Sequence, residues 1–241
     1  MRLLNVDTLK LKEFQGKPPE YAVLSHTWGS DEVTFEDMSF VDWPQKAGWE
    51  KILDCCKLCK QQGWEWVWID TCCIDKSSSA ELSEAINSMF TWYQQASICY
   101  AYLCDVVPDP MQSRAELFKA AKWHTRGWCL QEMLAPRSLI FLDEDWNEIG
   151  SRSSMSREVE EITGISPLDV AHFRSCSIAK RMSWASKRQT TRVEDQAYCL
   201  LGLFDINMPL LYGEGAKAFA RLQHEIIKSS DDESIFAWRG M

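Results

Sequence analysis

The 241-residue sequence contains no apolar run approaching the roughly 18 residues needed to cross a bilayer, so no membrane-spanning helix is expected. Met1 to Phe14 holds no uninterrupted apolar stretch of the kind a secretory signal requires. Basic residues are in the minority, with 26 Lys and Arg against 35 Asp and Glu and a formal net charge of −9. That balance argues against a nucleic-acid binder, which displays a basic face, but leaves room for a small anionic ligand in a local pocket. Internal repeats, low-complexity tracts and glycine-rich phosphate loops of either common type are absent. The four histidines (His26, His124, His172 and His224) lie too far apart in sequence to suggest a metal site.

What is present is an ordinary globular composition, 46% hydrophobic and 25% charged, in a length sufficient for one substantial core. Ten cysteines include the adjacent pairs Cys55-Cys56 and Cys72-Cys73 inside apolar segments. Such placement suits buried, reduced thiols and a cytoplasmic protein. Cys56-Lys57-Leu58-Cys59 has half-site spacing, but no second pair follows at zinc spacing and the segment reads as helix. Cys72 and Cys73 lack a local nucleophile signature and read as structural thiols. Most of the twelve tryptophans are expected in the core or in a pocket wall.

Apolar runs at Tyr21–Ser25, Val67–Ile69, Ile98–Leu103 and Leu139–Leu142 read as strands. Between them, residues from about Gln45 to Gln62 carry apolar groups at helical spacing before Gly63. Ser78 and Glu81 have capping-box spacing ahead of Leu82, Ala85, Ile86, Met89, Tyr93 and Ala96. Arg126–Leu134 reads as a short helix closed by Pro136, and Arg2–Val6 as an added edge strand. Alternation of this kind predicts an α/β fold with a mostly parallel sheet flanked by helices. Past about Ser151 the texture turns helical, at Val159–Thr163, Ile178–Ser186, Glu194–Phe204 and Ala216–Lys228. With no flexible linker before it, this part is expected to be a helical extension packed on the core and not independent of it. The chain is therefore read as one domain, 1–241, with an α/β core over about 1–150 and the extension over about 151–241.

In an open α/β sheet, ligands bind where loops leave the carboxyl ends of the strands. Ser25-His26-Thr27-Trp28-Gly29, Asp70 to Asp75, and Asp105 fall at three such ends. Each taken alone is as well explained by capping and loop solvation; together they favour a cleft. In Arg126-Gly127-Trp128-Cys129-Leu130-Gln131-Glu132, the acid follows Trp128 at a spacing that puts both on one helix face. Two arrangements are open: Trp128 stacks a planar ring beside the Glu132 carboxylate, or a surface Glu covers a buried Trp. Composition alone favours the second.

Several segments resemble the heterokaryon-incompatibility (HET) family of filamentous fungi, in the family's order. They are Tyr21–Gly29 (YAVLSHTWG), Trp68–Lys76 (WIDTCCIDK), Ala80–Asp105, Thr125–Pro136 (TRGWCLQEMLAP), Arg181–Gly215 and Ile226–Trp238. The resemblance spans essentially the whole chain and implies a death-effector role in non-self recognition. It also implies a nucleotide-binding or repeat-containing regulatory partner region, because in the family this unit often begins a longer protein. HET domains are in turn distantly similar to TIR domains, which implies a TIR-like, flavodoxin-like core. The TIR-like parts are Ser25, ending the first strand, and the Trp128-x-x-x-Glu132 helix. In TIR enzymes that Glu cleaves NAD at the nicotinamide ribose, so the resemblance makes Glu132 the first candidate catalyst. Ser25, His26, Trp28, Asp70, Arg126 and Trp128 become the expected substrate-binding residues, with NAD(P)+ as substrate, no tightly bound cofactor and no metal. Two alternatives are a homo-oligomerising interaction module without catalysis and, more weakly, a nuclease holding Mg²⁺ on Asp70, Asp75 and Asp105.

Overall fold

The computed structural model describes residues 1–39 and 46–237. Chain order gives β1 (Arg2–Asn5), β2 (Leu11–Glu13), β3 (Ala22–His26), α1 (Gly48–Gln61), β4 (Trp66–Ile69), α2 (Asp70–Cys73), α3 (Ser79–Gln95) and β5 (Ile98–Tyr102). Then follow α4 (Arg114–Ala120), α5 (Cys129–Leu134), β6 (Leu139–Leu142) and β7 (Glu148–Ser151). Seven strands form one sheet in the order β2-β1-β4-β3-β5-β6-β7. The four central strands are parallel, while β1 and β7 join their flanks antiparallel and β2 pairs antiparallel outside β1. Every residue of β3 and β4 is buried, which is why these strands read as unbroken apolar runs and not as alternating ones.

Numbered among themselves, the four parallel strands stand in the order 2-1-3-4, the beginning of the flavodoxin-like arrangement, whose ligand crevice opens where the winding reverses. Here that point lies between β3 and β5. Trp68 of β4, fully buried, meets Trp92 and Tyr93 of α3 edge to face at centroid distances of 5.5 and 5.6 Å. Contacts of this geometry add about 0.5–1.5 kcal/mol each to the burial itself.

The extension contributes α6 (Ser156–Thr163), α7 (Pro167–His172), α8 (Ile178–Ala185), α9 (Asp195–Tyr198), α10 (Leu201–Phe204) and α11 (Lys217–Ser229). Leu201, Leu203, Leu222 and Ile226 join the same buried cluster as the strands. The closest approach is at Gly202, where an added Cβ would lie 2.1 Å from the Cβ of Phe90 on α3. Asn87 of α3 also exchanges hydrogen bonds with the backbone of Met208, at 3.1 and 3.2 Å.

Several expectations change. Arg2–Val6 is not an edge strand: β2 lies outside it, because Leu11–Glu13 turns back onto β1. The helix expected over Glu194–Phe204 is two short ones, α9 and α10, ending in a left-handed Asp205 (φ 59°). The helix expected from Arg126 begins at Cys129, since Arg126 is extended and forms a β-bridge with Gln189. Ser78 caps α3, but Glu81 does not complete the box; its carboxylate takes Arg2 and the Asp75 amide instead. Gln45, the expected start of α1, and Trp238 lie outside the described residues. Sequence reasoning passed over α4 and α7, although Ser113/Glu116 and Ser166/Asp169 both form complete capping boxes. No helix among the described residues is long and apolar enough to cross a membrane.

Candidate functional site

The cavity that opens at the carboxyl ends of β3 and β4 has a volume of about 320 Å³. Its lining includes His26 at the end of β3 and Trp28 just past it, Asp70 and Lys76 after β4, and Arg126, Trp128 and Glu132 around the start of α5. The opposite wall is Gln189 to Arg192, Asp195 and Tyr212, all from the extension. Six of the seven residues singled out from sequence therefore share one cavity. The seventh, Ser25, does not line it.

Ser25 is fully buried behind Glu132. Its hydroxyl donates to Glu132 Oε2 at 2.5 Å and accepts from Trp123 Nε1 at 2.7 Å. Its place is thus to orient the carboxyl group, not to hold a ligand's oxygens. Glu132 sits on α5, whose six residues are all buried, and whose exit is held by Arg152 through the carbonyls of Met133 and Pro136. Burial, helped by the Asp70 charge and opposed by the Ser25 hydroxyl, raises the Glu132 carboxyl to about 8. At neutral pH burial therefore favours the protonated form of Glu132.

Asp70 begins α2, directly at the end of β4. Its carboxylate takes His26 Nε2 at 3.0 Å and Trp28 Nε1 at 2.9 Å. Burial alone would raise this carboxyl, but the His26 contact, the Lys76 charge and the Trp28 indole outweigh it and hold it below its ordinary range. His26 Nδ1 is buried without a hydrogen-bond partner among the described residues. Trp28 is 46% exposed, and its ring carries Lys76 Nζ 3.7 Å from the centroid. Burial keeps the Lys76 ammonium below the usual lysine range.

Across the cavity, Asp195 accepts from Tyr212 Oη at 2.9 Å, and the Trp128 indole lies near enough to the same carboxyl to help lower it. Burial raises the Asp195 carboxyl in spite of both groups. Arg192 lies over the Tyr212 ring, 4.5 Å from its centroid. Arg126 is pinned through its backbone: its carbonyl accepts from Arg188 at 2.9 Å, while the next amide, Gly127, donates to Gln189 O at 2.8 Å. Arg126 itself lines the cavity.

Trp128 and Glu132 do share a face, and that face looks into the cavity and not into solvent. Asp75 and Asp105 stand on the same sheet edge but do not join them. The Asp75 carboxylate takes Ser77 and that of Asp105 the Lys122 amide. Among the described residues no group of three or more His, Cys, Asp or Glu is arranged to hold a metal, so the three aspartates do not converge as the nuclease alternative requires. Lys76, Trp123, Arg192, Asp195 and Tyr212 were not foreseen. Lys76 falls inside one family-like segment and Arg192 to Tyr212 inside another, but the latter region was read as packing alone.

A family model described as "Heterokaryon incompatibility protein (HET)" matches residues 21–110, which hold Ser25, His26, Trp28, Asp70 and Lys76 but not Glu132. The chain is also similar to the vegetative incompatibility protein HET-E-1 of Podospora anserina, 46% identical over 224 residues. That alignment takes in 88% of this chain and 16% of the relative, so the chain spans about a sixth of the protein it matches. No solved structure matches the chain.

Proposed function

The chain belongs to the heterokaryon-incompatibility family, and we propose that it is the effector module of a fungal incompatibility response, killing by NAD(P) glycohydrolase chemistry in a TIR-like site. The observation that supports this most is a carboxyl group, Glu132, buried at the back of a cavity walled by two indoles and held at one oxygen by Ser25. Glycosidic cleavage at the nicotinamide ribose needs such a group. The C1′–N1 bond breaks, its electron pair neutralises the pyridinium ring, and the ribose is left with oxocarbenium character that a carboxylate stabilises until water adds and a proton is lost. Trp128 and Trp28 offer faces to the nicotinamide or adenine ring, and His26 and Arg126 offer donors to ribose or phosphate oxygens.

A protonated Glu132 at neutral pH fits this chemistry in one direction only. Entry of the cationic nicotinamide ring favours the ionised form, so substrate binding is expected to release a proton. The pH profile of kcat/KM should accordingly fall on its acid side with a midpoint near 8. A regulatory nucleotide-binding or repeat region, in the same protein or in a partner, would then act by controlling access to the cavity or self-association of the module.

Incubation of the purified protein with NAD and with NADP, followed by assay of free nicotinamide, tests the reading. Release that falls roughly 10²–10³-fold in Glu132→Gln, with unchanged thermal melting, is the expected result. No release at any protein concentration, combined with undiminished killing by Glu132→Gln in cells, would overturn it in favour of a non-catalytic, self-associating interaction module.

A further inference from the structure

The cavity holds charges of both signs without pairing them. Three carboxyl groups line it, and none is paired with a Lys or Arg. Asp70 is satisfied by an imidazole and the Trp28 indole, Glu132 by the Ser25 hydroxyl, and Asp195 by the Tyr212 phenol. Three cationic side chains, Lys76, Arg126 and Arg192, line the same cavity. Among the described residues none of them reaches a carboxylate within 4.0 Å. Elsewhere Arg2, Lys46, Lys51, Arg114, Lys180 and Arg221 do, while Arg152, Arg181 and Arg188 direct their donors at backbone carbonyls, which none of the three cavity cations does among the described residues.

In a chain of net charge −9, carboxylates are the commoner partners, and for Lys76 and Arg126, each half withdrawn from water, lacking one is costly, whereas Arg192 stands at the exposed rim. Two of the three are instead braced by aromatic rings: Lys76 on Trp28 and Arg192 on Tyr212. Ring contact fixes a cation's position and leaves its N–H donors free. Arg126 has no such ring; only its backbone is fixed, by Arg188 on its carbonyl and by the following amide on Gln189. The carboxylates are thereby kept off the cations, and the cations are kept open toward the cavity.

We propose that Lys76, Arg126 and Arg192 form an anion clamp that selects ligands carrying a pyrophosphate, so that the cavity takes an intact dinucleotide and rejects the corresponding nucleoside. This deepens the glycohydrolase reading and rests on it for the identity of the reacting bond, but not for the clamp itself. Guanidinium and ammonium groups make charge-assisted hydrogen bonds to phosphate oxygens, and Arg does so in bidentate fashion. Because Arg192 comes from the extension and Lys76 from the sheet edge, a bound pyrophosphate would tie the two parts of the chain together.

Binding is measured by calorimetry on the full chain with ADP-ribose, inorganic pyrophosphate and nicotinamide riboside, at two salt concentrations. ADP-ribose and pyrophosphate are expected to bind and to weaken with salt, and nicotinamide riboside to bind at least tenfold more weakly than ADP-ribose. Arg192→Gln, at an exposed position, and Lys76→Gln should each weaken ADP-ribose by roughly 10–100-fold at unchanged melting temperature. Should Lys76→Gln melt early, Arg192→Gln alone decides the matter. Equal affinity for ADP-ribose and the riboside, or parental affinity in Arg192→Gln, overturns the clamp. The two readings fail separately. Tight ADP-ribose binding without nicotinamide release removes the glycohydrolase and keeps the clamp; release that depends on Glu132 and is indifferent to both cation variants does the reverse.

Discussion

Replacing Glu132 by Gln tests the protonation state on which the site's chemistry turns, without needing a substrate. In the unfolded chain this carboxyl titrates near its ordinary 4.5, and in the folded protein near 8. A group whose value is raised by folding stabilises the fold fully below its unfolded value, and that contribution drains away as pH rises toward the folded one. Each pH unit between the two costs 1.36 kcal/mol, so the parent should lose about 3–4 kcal/mol from this group between pH 5 and pH 8. Gln cannot ionise. It retains the volume and a carbonyl to accept from Ser25, so its own stability should not carry this loss. Urea unfolding of both proteins at pH 5, 6, 7 and 8 reads the effect as a difference of slopes. Groups that titrate alike in both proteins cancel in that difference. The variant is expected to gain on the parent steadily as pH rises, by a total of about 3 kcal/mol. Parallel profiles would mean that Glu132 is ionised in the resting site, and the proton release expected on substrate binding would have to be abandoned.

Two further outcomes bear on the same architecture. Ser25→Ala removes the hydroxyl that holds the Glu132 carboxyl down, so the acid limb of kcat/KM for nicotinamide release should move to higher pH; a drop in rate with an unmoved limb would leave Ser25 a merely structural residue. Gly202→Ala drives a methyl to within 2.1 Å of the Phe90 Cβ and should cost about 2 kcal/mol or more in thermal or urea unfolding, whereas a neutral result would show that α10 is not seated on α3 as described.

The parallel core was legible because its physics is local and repetitive. Strands buried on both faces must be apolar throughout, and Val67-Trp68-Ile69 or Ile98 to Tyr102 have few other homes. The flanking strands β2 and β7 were not legible. Each is short and half exposed, and its pairing depends on a neighbour already in place. Glu194–Phe204 failed as one helix for a related reason. Its apolar spacing is helical, but Glu194 is drawn off to the amides of Gly213 and Gly215, and Gly202 must lie flat against Phe90. Both constraints come from residues distant in sequence.

The same distinction runs through the site. Ser25, Asp70 and Glu132 could be nominated from strand ends and a helical spacing, since polar groups there have only the cleft or a cap to serve. Asp195 and Tyr212 could not, because nothing in their own neighbourhood says that an indole from residue 128 will lie near Asp195. Yet without Tyr212 the Asp195 carboxylate would lose its 2.9 Å donor and Arg192 the ring it lies on. Helix α5 thus supplies a carboxyl group whose protonated form burial favours, and the extension supplies the wall opposite it. A cavity built from both halves can respond to anything that moves one against the other. The bridge between Arg126 and Gln189 joins the two walls directly, so a displacement of the segment from Gln189 to Arg192 would carry Arg126, and with it the approach to α5, along.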